Sequence, residues 1–250
     1  MSESYTTALV VVRAEEGKRL IGQAVAQLPQ VQRATQQGRM VVVGGSTTRY
    51  VAQALTGEDP GDARFAVGWI ADGILGETPA QGRGPGPFIW EEGTLTRGWP
   101  MDVLSRFTAA DVYIKGANAL DAEGHAGILM ASPTGGTIGA AYPILMARGA
   151  ALILPVSLQK MVPGSVFHTA SLLGQQRVMR SMGSPVGLLP IHRQNATIVT
   201  ECQALHILHN LTATVVSAGG VQDCCGSLSL HLYGRQVDIE AAWERILQMR

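Results

Sequence analysis

Apolar positions alternate with polar ones in two distinct periods along this chain. Leu20, Ile21, Val25, Leu28 and Val31 recur at helical spacing, which predicts a helix over residues 15–37 with an interruption near Pro29. A short apolar run predicts a strand over 8–12. The unbroken series Met40, Val41, Val42, Val43 reads as a buried strand, followed by a helix over 47–55. Residues 65–75 read as a strand broken at Asp72-Gly73, 101–107 as a short helix, and 112–115 and 127–131 as strands. A helix over 138–147 then delivers a strand over 151–156. The remainder reads as a helix (197–210), two strands (213–217 and 227–233, the second alternating) and a final helix (238–249) capped by Asp238. Strands alternating with helices predict one α/β domain over 1–250, with a mainly parallel sheet covered by helices and room for a small second lobe.

Between residues 76 and 87, proline or glycine recurs at almost every second position, so no regular element can persist there and the segment reads as a long loop, a lid or an inter-subunit arm. Phe88, Trp90 and Trp99 supply apolar bulk beyond it, expected to pack locally. Thirty glycines and 5% aromatic residues imply many tight turns and an aliphatic core. The 250-residue chain is long enough to bury one.

Nineteen basic and nineteen acidic side chains leave no net charge, which excludes a general field for polyanions and so argues against nucleic-acid partners. A small anion needs only a local site. Three cysteines, two of them adjacent, give no disulfide framework, and the first residues lack the basic and apolar regions of a signal peptide. The longest apolar stretch, 140–156, is interrupted by Arg148 and holds Pro143 and Gly149. The expectation is a soluble, cytoplasmic protein with no membrane partner.

The most informative chemistry lies at Val43-Gly44-Gly45-Ser46-Thr47-Thr48, where a buried strand runs into a turn that opens a helix. Gly44 and Gly45 permit close approach and positive φ, and the first helical amides have no internal partner. Ser46, Thr47 and Thr48 can cap those amides or offer hydroxyls, and the helix dipole favours an anion. Phosphate or carboxylate is the natural guest.

Several motifs then follow in an order that resembles the superfamily of ribose-5-phosphate isomerase A, glucosamine-6-phosphate deaminase and the CoA transferases. The 43–48 turn is similar to its phosphate loop, and the segment from Asp111 through Lys115, Asn118 and Asp121 to Gly124 is similar to its acidic turn. Thr134-Gly135-Gly136-Thr137 falls where the isomerases carry a lysine-glycine loop. Residues 155–164, with Ser157 and Lys160, resemble a later Ser-Lys element, and 184–190 a Pro-Val segment beyond it. The resemblance implies an isomerase-like fold, a homo-oligomer and a ligand held by Gly44, Gly45, Ser46, Thr47, Thr48, Asn118, Thr134, Gly135, Gly136, Thr137 and Lys160. The chain departs from the pattern where it matters chemically: Asn118 and Ala119 replace acidic residues, only Asp121 is retained, and the loop lysine and the helix carboxylate are missing. Lys115, Asp121 and His125 are the remaining acid-base candidates.

Cys202, His206 and His209 fall at i, i+4 and i+7 of a helix, within about 60° of one another, and the same face can approach Cys224-Cys225. That pattern allows a soft metal, but it matches no common zinc spacing, and no metal or cofactor is expected. Three functions remain open: proton transfer on a sugar phosphate, non-catalytic sensing of such a ligand, and acyl transfer to or from CoA.

Overall fold

A computed structural model describes residues 4–61 and 65–250; the amino-terminal residues read above for a leader fall partly outside this range. The elements in the first half are β1 (Tyr5–Val12), α1 (Ala14–Ala26), α2 (Pro29–Gln37), β2 (Arg39–Val42), α3 (Thr48–Thr56), β3 (Gly68–Ala71), β4 (Ile74–Glu77), β5 (Phe88–Glu91), β6 (Thr94–Arg97) and α4 (Met101–Leu104). There follow β7 (Val112–Ile114), β8 (Ala119–Leu120), β9 (Ala126–Met130), α5 (Gly136–Arg148), β10 (Ala151–Pro155), α6 (Val166–Leu172) and β11 (Gly187–Ile191). The chain ends with β12 (Thr197–Val199), α7 (Glu201–His209), β13 (Thr212–Gly219), β14 (Ser227–Arg235) and α8 (Gln236–Leu247).

The α/β class is as expected, but the central sheet is mixed. Its six strands run in the order β12-β10-β7-β2-β5-β6. The first four are parallel, whereas β5 and β6 form an antiparallel hairpin on β2. Continuous apolar runs occupy the middle: Met40, Val41, Val42, Val112, Tyr113 and Ile114 are all fully buried, as required of strands covered on both faces. On one face Met40, Val42, Val112 and Ile114 pack with Leu20, Ile21, Val51 and Leu205 from α1, α3 and α7. On the other, Val41, Tyr113 and Leu154 pack with Ile138, Ala141 and Leu145 of α5.

A separate antiparallel sheet, β1-β14-β13, shows the other periodicity. Leu228, Leu230 and Leu232 are buried in the first core while the intervening His231 and Tyr233 face solvent. A third sheet, β11-β9-β8, is also antiparallel.

Several local expectations are revised. The 65–75 strand is the β3–β4 hairpin, with Asp72-Gly73 as its turn and both residues at positive φ. The interruption expected near Pro29 falls there and separates α1 from α2, with Pro29 at the first position of α2. Residues 197–210 divide into β12 and α7: Ile153 and Pro155 pair with Thr197 and Val199, and that sheet register overrides local helix propensity. The last helix begins at Gln236, with Asp238 inside its first turn and ion-paired to Arg235 rather than capping it.

Candidate functional site at the carboxyl edge of the parallel strands

Four parallel strands end at one edge of the sheet, and each leads into a loop or helix there. β2 leads to Val43–Thr47 and α3, β7 to Lys115–Asn118, β10 to Ser157–Lys160, and β12 directly to α7. The last turn of α5 feeds the start of β10, so its first turn lies back toward the same edge. Tyr113 Oη, in the buried middle of β7, donates to the Thr137 carbonyl at 3.0 Å. α3 and α5 cover opposite faces of the neighbouring strands β2 and β7, and the carboxyl ends of strands at such a reversal are the usual ligand position in open α/β sheets.

Gly44 and Gly45 do not serve handedness, and only Gly44 is required for space, since a Cβ on Gly45 would meet no more than Thr48 Oγ1 at 3.1 Å. Neither has positive φ among the described residues, which corrects that expectation. A Cβ on Gly44 would lie 1.8 Å from the Phe65 carbonyl oxygen. The hydroxyls do not cap α3 either. Thr48 Oγ1 donates back to the Val43 carbonyl at 2.6 Å, and the fully buried Thr47 Oγ1 has no partner. The Ser46, Thr47 and Thr48 amides make no hydrogen bond with a described residue. These are the unsatisfied donors that an anion can accept from.

The amino end of α5 is open in the same way. Gly135 caps it in the left-handed region at φ 77°, without a side-chain bond. Ser132 and Thr134 bond each other at 3.1 Å instead, and the Gly136, Thr137 and Ile138 amides remain unpaired among the described residues. A Cβ on Gly135 would meet Gly139 Cα at 2.9 Å, so close packing of the turn as well as its handedness requires glycine.

Lys115 continues β7 by donating its amide to the Ile153 carbonyl at 3.1 Å. Strand alternation puts its side chain on the Tyr113 side, toward α5. It is half-buried, and its amine makes no ion pair or hydrogen bond with a described residue. Lys160 Nζ donates to the Ala117 carbonyl at 2.9 Å, which ties the loop after β10 to the loop after β7. Burial first, and the Lys160 charge second, draw the Lys115 pKa down to about 8. Burial and then Lys18 do the same to Lys160, also to about 8, against the opposing pull of Glu201. Lys18, on α1, pairs with Glu15 at 2.5 Å.

The remaining candidates are occupied elsewhere. Asp121 is buried, and its two oxygens accept the amides of Glu123, His125 and Val166 at 3.1, 2.8 and 3.0 Å. Burial alone would raise its pKa, but those amides hold it below the usual range. His125 Nδ1 accepts the Arg193 amide at 3.2 Å, and its ring packs on His192 and Phe167. Asn118 Oδ1 accepts the Leu129 amide at 3.0 Å, closing the chain onto β9.

The cysteine-histidine face does not converge: no three His, Cys, Asp or Glu side chains among the described residues could share a metal ion. His206 is exposed and His209 Nε2 accepts from Arg245 Nε at 2.9 Å. The Cys202 thiol is pushed up to about 11 by burial and by Glu201. All three cysteines are free.

Two groups escaped the sequence reading. Glu201 is a buried carboxylate at the start of α7 that accepts from Ser157 Oγ at 2.5 Å and from the Leu158 amide at 2.8 Å. Burial raises its pKa against those bonds, and Gly17 leaves it room, since a Cβ there would lie 2.8 Å from Oε1. Nothing in the local pattern around Glu201 marks it. The second is Lys18, whose charge acts on Lys160; with Lys115 and Lys160 it makes up the chain's three lysines against sixteen arginines, a scarcity that was legible.

Comparison with family models, with curated proteins and with solved structures finds no match. A separate cavity of about 500 Å³ lies between Phe65 and the 81–85 loop. Its arginines are already engaged, Arg97 on the Gly86 carbonyl and the Phe88 ring, Arg83 on Glu77. No helix among the described residues is long and apolar enough to cross a membrane.

Proposed function

We propose that the protein binds a small phosphorylated or carboxylated metabolite at the carboxyl edge of its parallel strands, with a fold of the isomerase and CoA-transferase kind whose motif order it resembles. One observation carries this reading: Lys115 and Lys160 follow two neighbouring strands at this edge without a carboxylate bonded to either, and the amino ends of α3 and α5, at the same edge, carry amides unpaired among the described residues. Like charges desolvated together are unfavourable. A bound anion that accepts from them and from the free amides offsets that penalty. Proton transfer on the bound ligand then falls to Lys115, whose pKa of about 8 suits acid-base work near neutrality.

A second reading, a sensor that binds without turnover, draws support from the carboxylates. Asp121 is saturated by three amides, and Glu201 is enclosed by Ser157, Leu158 and Gly17. Neither is open to a ligand as base. For the same reason acyl transfer through a carboxylate nucleophile gains nothing from this arrangement.

Titration calorimetry with inorganic phosphate and ribose 5-phosphate tests binding, and proton exchange of the ribose 5-phosphate in deuterium oxide separates the two readings. Heat of binding with solvent deuterium appearing in the sugar marks an enzyme. Binding without exchange marks a sensor. Absence of any heat with phosphate, ribose 5-phosphate or citrate rejects the anion site.

A further inference from the structure

We propose that Lys115 is an imine-forming nucleophile, and that the ligand of this edge is an anionic aldehyde or ketone whose carbonyl carbon bonds to the Lys115 nitrogen. This rests on the anion-binding reading above and adds the ligand's reactive group.

The first argument is the choice of cation. Arg39, Arg49, Arg106 and Arg235 are each bonded to a carboxylate, as Lys18 is to Glu15, whereas Lys115 and Lys160 are bonded to none among the described residues. Guanidinium would serve better than ammonium for holding a phosphate through two parallel bonds. Lysine differs from arginine in being able to lose its proton and attack carbon. That the two lysines without a carboxylate partner, Lys115 and Lys160, follow neighbouring strands at one edge therefore points to amine chemistry there.

The second argument is the division of labour between the two inner amines. Lys160 Nζ is committed to the Ala117 carbonyl, so its charge stays in place beside Lys115. The Lys115 amine is uncommitted among the described residues. An amine desolvated next to a second cation is the arrangement that activates lysine toward carbonyls. The Lys115 pKa of about 8 leaves a substantial neutral fraction at physiological pH. Lys18 and Glu201 are the other charged groups acting on the pair, both through Lys160.

The step balances without a further reactant. The Lys115 nitrogen lone pair attacks the carbonyl carbon, and the carbonyl electron pair moves to oxygen, which takes a proton to give a carbinolamine. Loss of that hydroxyl with a proton releases one water and leaves the C=N bond. The ligand's phosphate or carboxylate would sit on the open amides of α3 or α5, which fixes the carbonyl near the amine.

Borohydride trapping with glycolaldehyde phosphate as the probe, read by peptide mass spectrometry, tests the assignment, since only three lysines and the amino terminus can be labelled. The expected result is one reduced adduct on Lys115, at least tenfold above that on Lys18 or Lys160, suppressed by inorganic phosphate and weak with unphosphorylated glycolaldehyde. In Lys115→Arg the adduct disappears while the far-UV circular dichroism spectrum stays that of the wild type, which shows that the variant is folded. Labelling spread evenly over the three lysines, with phosphate binding intact, overturns the imine and leaves the anion site standing. Equal labelling of Lys115 by glycolaldehyde and its phosphate, with no phosphate binding, overturns the anionic ligand.

Discussion

Helix α7 begins at the same sheet edge as α3 and α5, yet its amino end is closed and theirs are not. There Gln203 reaches back over the first turn, its Oε1 accepting from both the amide of Thr200, at 3.2 Å, and the Thr200 hydroxyl. The α3 and α5 ends have hydroxyl residues at the matching places but no capping bond. Instead Thr48 bonds backward to Val43, Ser132 and Thr134 bond each other, and Thr47 bonds nothing. Helix ends are ordinarily satisfied by cap, water or ligand. The contrast separates an end used to stop a helix from two ends available to hold something, at the edge where β7 delivers Lys115.

That contrast yields a graded series of tests. The largest effect is expected from Gly44→Ala, whose methyl would collide with the Phe65 carbonyl at 1.8 Å. Overpacking of this kind destabilises by about 1–3 kcal/mol or more, and chemical denaturation should show it, because the turn before α3 cannot shift without moving β2.

Lys115→Met should weaken sulfate or phosphate binding by about 10- to 100-fold, the worth of a charge-assisted bond, with calorimetry as the measurement. Unchanged affinity would place the anion elsewhere.

Sulfate affinity should also fall as pH rises through about 8, where Lys115 and Lys160 lose their protons; sulfate is the better probe because it does not titrate there. Free-protein stability should move the opposite way between about pH 8 and the ordinary lysine value of 10.5. Both lysine pKa values are lowered by folding, so in that window the unfolded chain holds more protons, and stability rises with pH. A flat binding profile from pH 7 to 9 on the axis of the titration would dissociate the lysines from the anion.

The smallest effects distinguish the helix ends themselves. Thr200→Ala should lower stability by about 1 kcal/mol through loss of the hydroxyl bond to Gln203, without altering sulfate binding. Thr47→Val removes a buried hydroxyl that bonds nothing, so stability should hold or rise by up to about 1 kcal/mol. Equal losses from the two substitutions, measured by thermal and urea unfolding, would erase the distinction drawn between α7 and α3.

Much of the architecture was legible one element at a time. The buried run at 40–43, the strand-turn-helix at 43–48 and the alternating 227–233 strand all sit close to where their periodicity put them. The misses have a common cause. β12 was read as helix because three residues carry little periodic signal, and only pairing with β10 holds them extended. Apart from these, Asp121 and His125 have residue types that permit acid-base work, and only the fold brings the His125 and Val166 amides onto Asp121 and the Arg193 amide onto His125. Glu201 was invisible because its burial depends on Gly17 from the far end of the chain.

The sequence by itself determined the two periodicities, the turns that glycine permits, and the scarcity of lysine relative to arginine. Those are properties of residues and their near neighbours, set by sterics and hydrophobic spacing. Only the tertiary structure decided which helix ends stay unsatisfied and that Lys115 and Lys160 share one edge, because desolvation and charge proximity arise between residues that the sheet order, not the chain order, makes adjacent.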